Sequence, residues 1–240
     1  MTRLRVLTGI AMLAATALGG AIAAPPEAHG APVVRPTQEL ATLLASHAVV
    51  SAPHSRPSKI GAVPAWRPIT GGPTVLPVVG RTRTSDGVQW LRVLIPGRPN
   101  GRRGWISKRA TVLSRTGWHI VVRTSSRRVR VFRSGRLVRS VAAIVGKPST
   151  PTPNGRFFVE ESVRMIPGAA GGPFALALSA RSNVLQEFGG GPGQIALHGV
   201  ANLGGTPGTA VSHGCVRLTN PDITWLAARI GPGVPVTIKP

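Results

Sequence analysis

Apolar residues in this chain fall mostly in short runs broken by glycine and proline, the pattern of β-strands rather than helices. Between residues 67 and 113, Val75 to Val78 and Val88 to Leu94 read as strands, Pro96 to Gly101 as a turn, and Gly104 to Ile106 as the opening of another strand. Past Gly117, Ile120 to Val122, Val129 to Phe132 and Leu137 to Val141 are predicted strands, with tight turns at Ser125-Ser126 and Ser134-Gly135. Two stretches have helical spacing. In residues 37–47, Leu40, Leu43 and Leu44 would share one face behind Thr37 as N-cap, which predicts a short helix or a loose tether. The second begins at Asn220 as N-cap, with Pro221 and Asp222 in the first turn. Its face carries Ile223, Leu226, Ala227 and Ile230, and Gly231 stops it. So many short strands with so little helix predict a mainly β fold, a sandwich or a barrel.

The same pattern divides the chain. Thr2-Arg3-Leu4-Arg5 is a basic start, the apolar run Val6 to Ala24 follows, and Ala21-Ile22-Ala23 and Ala28-His29-Gly30 are candidate cleavage sites. Residues 1–30 therefore read as a signal peptide, or as an uncleaved membrane anchor, and either places the rest in the cell envelope, the periplasmic space or the medium. Residues 31–64, rich in Pro, Ala, Ser and His, read as a linker. Residues 65–114 form a small β module and 117–239 a second, larger β unit.

Charge narrows the partners. Lys and Arg number 29 against 7 Asp and Glu, a formal net charge of +22. That balance usually points to a polyanion, and nucleic acid is the first suspect. The basic residues are scattered, however, aromatic residues are too few for stacking platforms, and no zinc-finger or homeodomain pattern occurs. Together with the export signal, this argues against a nucleic-acid partner and for attraction to an anionic envelope surface. The single cysteine excludes an internal disulfide. A free thiol in an oxidising compartment is a liability unless it is used.

That cysteine lies in Ser212-His213-Gly214-Cys215-Val216-Arg217, and another histidine, His198, precedes it across a glycine-rich loop. Thiolate is the reactive form, and a histidine base or nearby positive charge is what produces it near neutral pH. If the loop folds back, His198 takes the thiol proton and Cys215 attacks a carbonyl. His198 then returns the proton to the leaving amine. Backbone N–H groups around His213, Gly214 and Cys215 are candidates for the oxyanion, where removing one donor costs about 3 kcal/mol. Taken singly, each residue has a plainer reading: Cys215 a buried apolar residue, His198 a hydrogen-bonded strand end, Arg217 one more surface arginine, Asp222 a helix cap. A zinc site on His198, His213 and Cys215 lacks a nearby carboxylate base, so no metal and no cofactor are expected. A papain-like enzyme would normally place its cysteine before its histidine, the reverse of the order here.

His198-Gly199, the glycine-rich loop, residues 212–218 and Asp222, with Gly146-Lys147-Pro148-Ser149-Thr150-Pro151-Thr152-Pro153-Asn154-Gly155 upstream, together resemble the L,D-transpeptidase catalytic domain of bacteria. The resemblance spans essentially all of 117–239. It implies a β-sandwich-like domain acting on peptidoglycan stem peptides in cell-wall biogenesis and cell shape. It makes Cys215 the nucleophile and His198 the base and acid, with the Gly199 carbonyl orienting that histidine. Ser212 and His213 would shape the oxyanion side with the Gly214 backbone, and Arg217 would fix the site or a substrate carboxylate. The donor would be a tetrapeptide stem losing its terminal D-alanine, and the acceptor a neighbouring stem's amine, or water in a carboxypeptidase. A monomer is expected. Upstream, WLRVLIPGRPNGRRGWI (90–106) resembles the core of a bacterial SH3-like barrel, which would make that module non-catalytic.

Overall fold

The computed structural model describes residues 34–54 and 57–240, so the signal-segment reading of 1–30 lies outside the described residues. Among these residues no helix is long and apolar enough to cross a membrane. The first seven strands are β1 (Gln38–Leu43), β2 (His47–Val50), β3 (Lys59–Val63), β4 (Val75–Arg83), β5 (Gln89–Leu94), β6 (Arg103–Ser107) and β7 (Thr111–Thr116). They form one sheet in the order β3-β2-β6-β5-β4-β1-β7.

The helix or tether expected at 37–47, and the linker expected over 31–64, are replaced by three of these strands. Partners on both sides override the helical spacing: β1 pairs antiparallel with β4 through Leu40↔Pro77 and with β7 through Leu40↔Ser114. Ala41 and Leu43 enter the core on one face, while Leu44, which a helix would have buried, is exposed. Glu39 on β1 reaches Arg81 on β4 through Nε at 2.8 Å.

The second unit contains β8 (Trp118–Arg123), β9 (Arg128–Arg133), β10 (Arg136–Ala142), β11 (Val145–Gly146), β12 (Gly155–Arg164), β13 (Phe174–Arg181), β14 (Gln194–His198), β15 (Ala210–Ser212), β16 (Val216–Arg217), α1 (Asn220–Ala227) and β17 (Pro235–Lys239). Eight of them make a mixed sheet in the order β10-β9-β8-β17-β12-β13-β14-β16, and β11 pairs with β15. The predicted turn between β9 and β10 is present. Ser134 (φ 49°) and Gly135 (φ 79°) both take the left-handed conformation that a two-residue hairpin requires. Helix α1 buries Ile223 and Leu226. Its N-cap is Thr219, one residue earlier than expected: Thr219 Oγ1 accepts the Asp222 N–H at 3.2 Å, and Asp222 also accepts from Arg139 Nη2 at 2.6 Å. Asn220 serves elsewhere, its Oδ1 accepting the Val200 N–H at 3.1 Å.

Strand β12 belongs to two cores at once. Successive strand residues face opposite ways, so Phe157 packs with Ile120, Val131, Leu176 and Ile238, while Phe158 packs with Leu43, Leu76, Leu91 and Val93 of the N-terminal sheet. Beyond Val159, Glu160 and Glu161 are also buried. Burying carboxylates is costly unless they are paired, and both are. Glu160 meets Arg67 and, at 2.9 Å, Arg181; Glu161 accepts Thr70 N–H and Oγ1–H at 2.8 and 2.9 Å.

Candidate active site

Strand periodicity builds the site. Along β14, Ile195 and Leu197 are buried in the core, so Gln194, Ala196 and His198 face the other way. Strand β16 runs parallel beside it with Leu197 opposite Val216 and His198 opposite Arg217. Val216 points into the core, and Cys215 and Arg217 therefore share the face of His198. A cavity of about 450 Å³ opens on that face, lined by His198, Cys215, Arg217, His213, Gln194 and Phe188 among others. The two residues that carry the proposed chemistry are thus brought to one face by sheet register, although residues 199–214, including β15, lie between them in sequence.

The turn before Cys215 is held by its own side chains. Gly214 has φ +117°, a conformation that favours glycine. Ser212 Oγ accepts the Gly214 N–H at 3.1 Å and donates to the Cys215 carbonyl at 2.6 Å. Thr152 Oγ1 donates to the Gly214 carbonyl at 2.9 Å while accepting the Gly146 N–H at the same distance. Lys147 N–H and Thr150 Oγ1 both donate to the Ser212 carbonyl, at 2.9 and 3.3 Å. The proline- and threonine-rich upstream motif therefore acts as a splint for the cysteine turn. Ser212 works inside that turn, and the Gly214 N–H donates to it.

His198 Nδ1 lies 2.8 Å from the Gly199 carbonyl. A carbonyl only accepts, so Nδ1 carries the hydrogen and Nε2 keeps its lone pair. The ring is backed by a glycine that the sequence reading passed over. A Cβ on Gly171 would come within 2.7 Å of Nδ1, and Gly171 has φ +83°. Its carbonyl accepts the Gly199 N–H at 2.8 Å. Gly199 is equally confined, because a Cβ there would meet the Gly172 carbonyl at 1.9 Å. The triplet Gly171-Gly172-Pro173 just before an apolar run was the available signal.

The remaining predicted residues sit around this pair. His213 is exposed and stacks on Phe188, with ring centroids 5.6 Å apart. Arg217 Nη1 donates to the Gly204 carbonyl at 2.7 Å. Asp222 is engaged by Arg139 and Thr219.

Electrostatics favour a neutral resting pair. Burial holds His198 below its ordinary 6.5; the Gly199 hydrogen bond opposes this and the Arg217 charge adds to it. Burial pushes the Cys215 thiol above its ordinary 9.0, against the Ala196 backbone N–H and the Arg217 charge, which both favour thiolate. The thiol lies 3.9 Å from the Gln194 carbonyl. A standing thiolate–imidazolium pair is thus disfavoured before substrate arrives. The arrangement suits proton transfer to Nε2 as the sulfur attacks.

Residues 117–238 match the YkuD family, described as the L,D-transpeptidase catalytic domain. The chain is 33% identical over 123 residues to YkuD of Bacillus licheniformis, covering 51% of this chain and 66% of that protein. It is 29% identical over 130 residues to L,D-transpeptidase 1 of Mycobacterium tuberculosis, covering 49% of each. Among solved structures it is similar to an L,D-transpeptidase from Mycobacterium tuberculosis H37Rv. The TM-score is 0.42 and the identity 19%, with 68% of this chain and 93% of that one covered. The chain thus spans two thirds or less of the curated relatives' lengths. The family match covers just over half of the chain, including both sequence motifs and the whole cavity-facing pair; the chain belongs to the YkuD family of L,D-transpeptidase catalytic domains.

Proposed function

We propose that this protein is a peptidoglycan L,D-transpeptidase of the cell envelope. The observation that carries the reading is the shared face of β14 and β16, where the His198 imidazole and the Cys215 thiol open into one cavity. As Cys215 attacks the carbonyl of the L,D bond in a tetrapeptide stem, its proton passes to His198 Nε2. The C–N bond then breaks, D-alanine leaves with that proton on its amine, and a thioester remains on Cys215. An amine of a neighbouring stem, deprotonated by His198, attacks the thioester and restores the thiol. The backbone N–H groups of His213 and Cys215 are assigned to the oxyanion, since Gly214 donates to Ser212. Arg217, fixed by Gly204, supplies positive charge to the cavity and a partner for a substrate carboxylate.

The chain is incubated with a disaccharide-tetrapeptide and the products are weighed by mass spectrometry. Cross-linked dimer with loss of D-alanine, absent for Cys215→Ala, is the expected result. Tripeptide without dimer means that water is the acceptor and the enzyme is an L,D-carboxypeptidase. Neither product leaves a non-catalytic wall-binding protein.

A further inference from the structure

The cavity has one wall that belongs to neither motif. Residues 182–193, between β13 and β14, contribute Ser182, Leu185, Phe188 and Gly193 to the lining. The segment's own hydrogen bonds sit at the base, where Ser182 N–H donates to the Gly193 carbonyl at 2.8 Å and Ser182 Oγ accepts from the Val184 and Leu185 N–H groups, and at the tip. Its tip is a tight reversal in which Phe188 and Gly191 exchange N–H···O bonds at 2.9 and 3.1 Å around Gly189 and Gly190, both at positive φ. Phe188 at that tip stacks on His213, next to the cysteine turn.

The wall is fixed from the N-terminal sheet. Arg98, in the turn between β5 and β6, donates from Nη1 to the Pro192 carbonyl at 2.9 Å. Its Nη2 donates to the carbonyls of Ser182 and Leu185 at 2.8 and 3.1 Å. One guanidinium thus gathers three carbonyls, at the two ends of the segment and at Leu185 near its start. A Cβ on Gly193 would meet the Leu185 carbonyl at 2.1 Å and Arg98 Nη2 at 3.2 Å, so the loop closes tightly around that group. Two residues on, Asn100 Nδ2 donates to the Arg181 carbonyl and to Asn183 Oδ1 at 2.8 and 3.0 Å, and Asn100 Oδ1 accepts the Arg181 N–H at 2.8 Å. A second tie runs underneath: Arg67 binds Glu160, and Glu160 Oε1 accepts from Gln194 Nε2 at 3.2 Å. The Gln194 carbonyl is the one beside the Cys215 sulfur.

We propose that the N-terminal sheet completes the active site. Arg98 and Asn100 are positioning residues that hold the 182–193 wall in the shape that receives a bulky acyl donor. This rests on the reading of the cavity as the donor site. Without the ties, the exposed tip and its consecutive glycines have many accessible conformations, and a donor must first order them. A small reagent that needs only the thiol is indifferent to that wall.

The test uses the full chain with Arg98→Ala/Asn100→Ala together, and Arg98→Lys, which keeps the charge but loses the fork geometry. Three readouts are taken: hydrogen exchange of amides 183–193, acylation of Cys215 by imipenem, and its alkylation by iodoacetamide. In the double variant, exchange is expected to rise and imipenem acylation to fall by about tenfold or more. Alkylation stays within about twofold of the native rate, and Arg98→Lys lies between. Native rates of exchange or of acylation in the double variant overturn the proposal. So does an equal fall in acylation and alkylation, which reports general damage to the site. A native chain that takes no imipenem at all counts against the transpeptidase reading, and the exchange readout then decides the clamp alone.

Discussion

Cys215 and His198 are placed where each makes the other necessary. Burial raises the thiol and lowers the imidazole, which favours a neutral resting pair and transfer of the thiol proton to His198 Nε2 as the sulfur attacks. This fixes the shape of the pH dependence. The active form has a neutral His198 and a protonated Cys215. Acylation should fall on the acid side only below pH 6.5, as His198 is protonated, and persist on the alkaline side to above pH 9.0. Arg217 lowers both groups, because a positive charge opposes imidazolium and favours thiolate. Arg217→Gln should therefore raise both. The acid limb of imipenem acylation moves toward neutral pH, and the midpoint for iodoacetamide alkylation of Cys215 moves further up. A profile that stays in place would mean that Arg217 does not act on the pair through charge.

At the scale of elements, the site depends on two segments that carry no chemistry. Residues 146–152 splint the turn at Gly214 through Thr152 and Thr150, and Gly171-Gly172 support the His198 ring and Gly199. Gly171→Ala puts a methyl 2.7 Å from Nδ1 at a positive φ. The ring must move, and a misplacement of about 1 Å costs on the order of 100-fold in kcat/KM. Steady-state kinetics beside a thermal melt would check it; a native rate would mean that the ring does not rest on this glycine.

How legible these elements were depends on their patterns. Strands β4 to β6 and β8 to β10, with apolar runs between turn residues, could be read directly, as could the helix that buries Ile223 and Leu226. That His198 and Cys215 could meet at one cavity was readable too, from the residue types around them. Strand β1 was not, because Leu40, Leu43 and Leu44 fit a helix until β4 and β7 supply partners. Strand β12 hid behind Glu160 and Glu161, whose burial is explained only by partners distant in sequence: Arg67 and Arg181 for Glu160, Thr70 for Glu161. Gly171 was missed because contact with His198 comes from the fold, 27 residues away in sequence.

For the whole molecule, β12 joins the two sheets by facing both, with Phe157 in one core and Phe158 in the other. Phe158→Ala should therefore cost about 3–5 kcal/mol and lower the melting of both sheets in one transition. Two separate transitions, with the catalytic sheet unaffected, would mean that the sheets fold independently. The same β12 also links the N-terminal sheet to the cavity strand, because Glu160 meets Arg67 and accepts from Gln194 at 3.2 Å.

The central claim is that Cys215 carries the acyl group of a stem peptide. The most direct measurement is peptide mapping by mass spectrometry after the chain meets a tetrapeptide stem with no acceptor amine. The account predicts a Cys215 peptide heavier by the mass of the stem less one molecule of D-alanine, lost again when an acceptor is added. D-alanine release that persists in Cys215→Ala, with no modified Cys215 peptide in the native chain, would contradict it, because the bond would then have been cut without the thioester.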